Sequence, residues 1–127
     1  MVKSLRKIVF LLSLVILLAA GIAEDVSNAF KAGNSAQLAT YFGATVDLTI
    51  VDEDNLYPKD QAEQKLAAFF KSHPVSDFKV LHEGESKQGL KYAIGSLSTS
   101  NGNFRVSYYF NTQGNQMLLQ QIIIDSE

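Results

Sequence analysis

Two histidines, five tyrosines and the single arginine beyond the basic start carry most of the chemistry this chain can offer. His82 alternates with Phe78 and Val80, which predicts all three on one face of a strand. An imidazole there is a candidate general base or ligand contact, because its pKa lies near neutrality. The plain alternative is a hydrogen bond that fixes the turn at Gly84. Tyr57, Tyr92, Tyr108 and Tyr109 form, with Arg105, the best polar and aromatic set for a pocket. A tyrosine offers an apolar ring with a hydroxyl at its tip, and a guanidinium can clamp a carboxylate. The alternative is that Tyr92 and Tyr108 fill the core of a small sheet while Arg105 stands in solvent. Neighbours along a strand point to opposite faces, so at most one of Tyr108 and Tyr109 enters any one pocket. The candidate ligand-binding set is therefore Tyr57, His82, Tyr92, Arg105 and Tyr108.

Other chemistries are missing at the level of residue type. With no Cys there is no disulfide, thiolate zinc site or thiol nucleophile. The chain has no Gly-x-Ser-x-Gly elbow, no His-Glu-x-x-His and no Gly-rich phosphate loop. His73 and His82 fall on different elements, and neither has a second His at ligand spacing, so neither a metal nor a cofactor is expected. Asp47 alternates with Val46 and Leu48 and is expected to face water. Asp52, Glu53 and Asp54 lie in a turn that lacks the spaced ligands of a calcium loop. No catalytic residue is assigned.

The positions of these side chains depend on the elements that carry them, and the first 23 residues are set apart. Lys3, Arg6 and Lys7 precede the run from Ile8 to Ala20, in which Ser13 is the one polar residue, and Gly21-Ile22-Ala23 follows. A basic start, a short apolar stretch and a small-x-small exit describe a signal peptide cut before Glu24. An uncleaved anchor is the competing reading, although Ile8 to Ala23 falls short of the roughly 20 residues that span a bilayer. Contact with the membrane is expected only through this segment, and the mature domain, 24–127, is expected to be periplasmic or secreted. The whole chain has 127 residues, 46% of them apolar, with a formal charge of -2. Removing the three basic residues of the start leaves 8 basic against 13 acidic side chains, a charge of -5. Such a balance excludes nucleic acid as a natural partner.

Within the mature chain, Asp25 to Lys31 reads as a helix with Val26, Ala29 and Phe30 on one side, stopped by Gly33. Ser35 reads as the N-cap of a second helix with Leu38, Tyr41 and Phe42 on its apolar side, ended by Gly43. A strand follows from Thr45, then an acidic turn at 52–55 and a brief return strand at Leu56 and Tyr57. Lys59 to Ser72 is the strongest helix, with Ala62, Leu66, Phe69 and Phe70 at helical spacing, and His73-Pro74 ends it. Four strands complete the chain: 75–83, 90–99, one after Asn101-Gly102, and 117–125. Gly95 in mid-strand predicts a bulge or bend. Asn101-Gly102 predicts a hairpin turn with positive φ at both residues. The order α-α-β-β-α-β-β-β-β predicts an α+β domain in which a curved antiparallel sheet wraps the helices as a cone.

This order resembles the nuclear transport factor 2-like, or cystatin-like, superfamily. The local sequence is closer still to domain-of-unknown-function family 4783, small secreted bacterial proteins. The resemblance is carried by Ala29-Phe30-Lys31-Ala32-Gly33-Asn34, Tyr41-Phe42 and Val46-Asp47-Leu48-Thr49-Ile50. Tyr57, Gln61-Ala62-Glu63, Phe69-Phe70, His82-x-Gly84, Tyr92-Ala93-Ile94-Gly95 and Asn101-Gly102-Asn103-Phe104-Arg105-Val106 extend it. It implies the cone fold and no single activity. One expectation is an exported, non-catalytic domain that binds a small molecule or a protein partner through the cone or the sheet face. The other is a small isomerase or dehydratase with its site inside the cone. Ile122-Ile123-Ile124 puts apolar residues on both faces of the last strand. Either another chain covers the second face or the sheet curves to bury both, and relatives that pair through the open sheet imply a homodimer.

Overall fold

The computed structural model describes residues 21–127. The segment 1–20, which holds most of the expected signal peptide, lies outside the described residues. Helix α1 occupies 21–32, longer than the expected 25–31. Val26, Ala29 and Phe30 lie on its buried side, and Gly33 ends it at φ +61°. Helix α2 (Ser35–Ala39) is capped by Asn34, whose side chain accepts a hydrogen bond from the Gln37 amide, and not by Ser35. It is also shorter than expected. Phe42 and Gly43 open strand β1 (Phe42–Ile50) instead of closing the helix. A β-turn at Val51 and Asp52 leads into β2 (Glu53–Pro58), so Glu53, Asp54 and Asn55 belong to a strand and not to the turn. Val51 carries the left-handed backbone there, at φ 57°.

Helix α3 (Lys59–Ser72) matches its periodicity to the residue. Its buried positions are Ala62, Leu66, Phe69 and Phe70, with Asp60 in the first turn and Lys71 in the last, as the helix dipole favours. Strands β3 (Val75–Glu85), β4 (Lys91–Thr99), β5 (Gly102–Gln113) and β6 (Gln116–Ser126) follow as an antiparallel meander. The β4–β5 turn is centred on Ser100-Asn101, one residue earlier than expected, and only Gly102 has positive φ. Asn101 donates through Nδ2 to the Ser72 carbonyl at 2.7 Å and so ties the turn to the end of α3.

The sheet order is β2-β1-β6-β5-β4-β3. It is mixed, not wholly antiparallel: β1 and β6 run parallel. That pairing places β6 at the centre, which is why Ile122 and Ile124 are fully buried. Helices α1 to α3 cover one face. Among the described residues no helix is long and apolar enough to cross a membrane.

The helix-covered face is packed with side chains. Phe30 reaches down from α1 between Phe78 and Tyr108, with ring centroids 5.2 Å from each. Tyr108 in turn meets Phe110 edge-on at 5.7 Å. Gly95 lies directly beneath Phe78 and provides the room its ring occupies. Farther along, Phe69 packs on Phe104, and the His73 ring stacks on Phe69 at 4.5 Å. The His73 Nδ1 lies 3.1 Å from the Phe69 carbonyl oxygen, so this histidine is a helix-end residue.

Candidate functional site

Residues directly opposite in neighbouring strands share a face of the sheet, so the ladder registers sort every candidate side chain. On the helix face, one row runs Glu83, Ala93, Tyr108, Ile122, Leu48. Tyr108 is 1% exposed and belongs to the aromatic core. Tyr57 shares this face through its pairing with Val46. It stands at the margin of α3, with its hydroxyl accepting from Asn55 Nδ2 at 3.1 Å and the Lys65 ammonium 5.8 Å from its ring.

The other three candidates occupy the outer face. A bulge at Leu81 separates the Val80–Gly95 pair from the His82–Ile94 pair. The inserted residue reverses the alternation. His82 is thereby moved off the Phe78 and Val80 face, on which plain alternation had placed it, and lies opposite Ile94. Its Nε2 is 3.2 Å from the Tyr92 hydroxyl. Tyr92 lies across Gly84, where a Cβ would come within 2.7 Å of its hydroxyl, and its ring centroid is 5.5 Å from that of Tyr109. Arg105 is exposed on the same face, between Ser96 and Asp125. Thus His82 and Tyr92 are brought together, Arg105 shares their face, and Tyr57 and Tyr108 lie on the opposite side. The five do not line one cavity.

The outer face can be read as three rows. The first is Lys79, Ser96, Arg105, Asp125; the second His82, Ile94, Ser107, Ile123, Thr49, Asp54; the third Gly84, Tyr92, Tyr109, Gln121, Asp47, Leu56. No helix of the described chain covers it. Its middle is half-buried and partly apolar, at Ile94, Ile123, Tyr92 and Tyr109. Lys79, His82 and Arg105 lie on the β3–β5 side, where Asp77 stands opposite Ser98 and the Glu127 carboxylate accepts from Ser96 Oγ at 3.3 Å, and Asp125, Asp47 and Asp54 lie on the β6–β2 side. Asp47 is held above the usual carboxylate range, first by a hydrogen bond shared with Asp54, then by partial burial and by the repulsion between the two charges.

A groove of about 440 Å³ continues past the third row. Its cause is a break in the β1–β6 ladder. Pairing jumps from Phe42–Leu119 to Asp47–Gln121, so four residues of β1 face Gln120 alone. Gly43 and Ala44 pair with neither neighbouring strand. Thr45, Asp47, Asn111, Gln113 and Gln120 supply its polar side chains, and Leu56 and Leu118 its apolar ones. Of these, only Asp47 stands out in the sequence as a candidate for chemistry. The small pair Gly43-Ala44 at the head of a strand was the one local sign of a break.

Tyr108 titration offers a test of the core. Burial first, and the nearby Glu83 charge second, push its phenol well above the ordinary value. A raised pKa means that folding favours the neutral phenol. That contribution is complete below the unfolded pKa of about 10 and is lost as pH rises beyond it. The thermal midpoint should fall above that pH, and fall less in Tyr108→Phe. Equal alkaline losses in the two proteins would show that the hydroxyl is not buried.

Residues 23–125 match the family described as Domain of unknown function (DUF4783). Among solved structures, the chain is similar to a DUF4783 family protein from Bacteroides fragilis, at 43% identity and TM-score 0.76, covering 81% of this chain and 96% of that one. It is also similar to a DUF4783 family protein from Bacteroides uniformis, at 42% identity and TM-score 0.77, covering 82% and 95%. A cystatin-like domain of unknown function from Nostoc punctiforme, at 10% identity and TM-score 0.64 over 84% and 74%, shares the fold alone. No curated protein matches the sequence.

Proposed function

The chain belongs to the DUF4783 family of domains of unknown function and has a nuclear transport factor 2-like, cystatin-like fold, and from that premise we propose that it is an exported, non-catalytic interaction domain that self-associates through the outer face of its sheet. The observation that carries this reading is the contrast between the two faces. Phe30, Phe78 and Tyr108 pack the cone, whereas the outer face has an apolar middle and, among the described residues, no cover. A filled cone favours this reading over the isomerase or dehydratase alternative, which needs a substrate among those side chains.

Charge selects the partner and its orientation. In a pairing of two copies about a two-fold axis parallel to the strands, Lys79 and Arg105 of one copy meet Asp125, Asp47 and Asp54 of the second. A two-fold axis across the strands would oppose like charges, which costs affinity. Six strands about 4.8 Å apart make a face roughly 24 Å wide, which over a strand length of ~20 Å approaches the lower end of specific interfaces. The mature protein should sediment at two-chain mass at micromolar concentration. Arg105→Glu or Asp125→Arg alone should shift it to one-chain mass, and mixing the two variants should restore the dimer, because each mixed pair is again opposite in charge. A one-chain mass for the unaltered protein throughout that range would end the proposal.

Export rests on the basic and apolar start and on the family match, which begins at residue 23. Cleavage after Ala23 leaves Glu24 and Asp25 at the helix start, where acids suit the dipole. It retains the buried Val26 and Phe30 and, among the described residues, gives up Ile22, which packs at the margin of the core. Mass spectrometry of the exported protein should find Glu24 first. A membrane-bound chain that keeps its first 23 residues would favour the anchor.

A further inference from the structure

We infer that the groove at the break between β1 and β6 binds a neutral, hydroxyl-rich ligand of about disaccharide size. The inference does not rest on self-association, since the groove runs off the end of the outer face, and only Asp47 and Leu56 belong to both. Three features of its lining lead to this class of ligand.

The first is the donor and acceptor inventory. Asn111, Gln113 and Gln120 bring three carboxamides and Thr45 a hydroxyl. Each of these groups both donates and accepts, as sugar hydroxyls do. Asp47, which receives a long hydrogen bond from Gln121 Nε2 at 3.5 Å, adds an acceptor for hydroxyl protons. The second is the backbone. The peptide joining Gly43 to Ala44 lies between the Phe42–Leu119 and Thr45–Pro58 pairs and belongs to neither, so the Gly43 carbonyl and the Ala44 N–H can bond to water or to a ligand. The third is the pairing of apolar area with neutral polarity. Leu56, 68% exposed, and Leu118 offer a surface for the C–H face of a ring. Among the described residues no lysine, arginine or histidine lines the groove, which disfavours phosphates and carboxylates. A volume of about 440 Å³ lies within the range of small-molecule sites.

The groove can be closed without straining the fold. Gly43 does not have positive φ, and a Cβ there would meet Leu118 Cδ1 only at an ordinary 3.8 Å. A larger side chain at position 43 therefore projects into the site.

The test is a titration of the mature protein with cellobiose and, separately, N,N′-diacetylchitobiose, followed by amide chemical shifts. At least one of the sugars should produce saturable shifts confined to residues 43–45, 111–113 and 118–120, with a dissociation constant on the order of 1 mM, as a shallow neutral site allows. Asn111→Ala with Gln113→Ala should weaken binding at least about tenfold and leave the unfolding midpoint unchanged. Gly43→Leu should abolish binding, and Gln120→Ala provides a further exposed variant if either of these proteins folds poorly. The Arg105→Glu protein should bind as the parent does, which separates this site from the dimer. Three results would overturn the inference: no saturable shifts with either sugar, equal binding of glucose 6-phosphate, or shifts elicited at the groove by an extended glycine-rich peptide but not by the sugars.

Discussion

Gly95→Val is expected to cost at least about 3 kcal/mol, the upper part of the range for overpacked cores. A Cβ at this position would collide with the edge of the Phe78 ring, at Cζ and Cε1, and lie 2.7 Å from the Lys79 carbonyl oxygen. The ring has little freedom to retreat, because Phe30 packs against it at 5.2 Å. The Lys79 carbonyl is backbone of the adjoining strand and moves only with β3. Two obstacles of different kind make a separable prediction. Phe78→Ala combined with Gly95→Ala should be less destabilised than the sum of the two single changes, since the ring clash is removed and the carbonyl clash remains. Chemical denaturation of the four proteins measures the coupling, and strict additivity would mean that Gly95 is not needed to seat Phe78.

Phe30→Ala should destabilise by about 3 to 5 kcal/mol, the usual range for removing a buried aromatic side chain. Phe30 is fully buried and is the α1 side chain that packs between Phe78 and Tyr108. Its loss would leave a cavity walled by strands β3 and β5, which cannot collapse without shifting the sheet. A gain in binding of small apolar molecules by the variant, read by thermal shift, is the expected companion to the lost stability. A cost below about 1 kcal/mol would show that the interior repacks freely.

Much of this architecture was legible because local patterns and tertiary demands coincide. The spacing of Ala62, Leu66, Phe69 and Phe70 is the spacing of the face that α3 buries, so the helix was readable to its ends. The alternation of Phe104, Val106, Tyr108 and Phe110 is likewise the buried face of β5. Where a boundary depended on a distant partner, the reading slipped. Phe42 continues the helical apolar pattern, yet it pairs with Leu119 and begins a strand. Glu53 to Asn55 is a turn by composition, but its backbone pairs with β1 and makes it an edge strand.

The candidate site was less legible for the same reason. Alternation from Phe78 puts His82 on the face of Phe78 and Val80, a rule that holds only in an unbroken ladder. The extra residue at Leu81 has no unambiguous mark in sequence, because the bulge is a mismatch between two strands. Mid-strand Gly95 marked the neighbourhood without saying which strand would bend. The groove residues Thr45, Asn111, Gln113 and Gln120 come from three strands, and they meet only because β6 lies parallel to β1, some 75 positions earlier in the chain.

By itself, then, the sequence determined the absence of thiol chemistry, the acidic charge of the domain, the number and order of its elements and the family resemblance. Those properties are sums over residues or repeats of one local period. Tertiary structure alone decided which face His82 joins, that Phe30, Phe78 and Tyr108 pack the cone, and that a partly apolar sheet face and a groove lie outside it. Each of these depends on the register between strands far apart in the chain, and a shift of one residue there exchanges inside for outside.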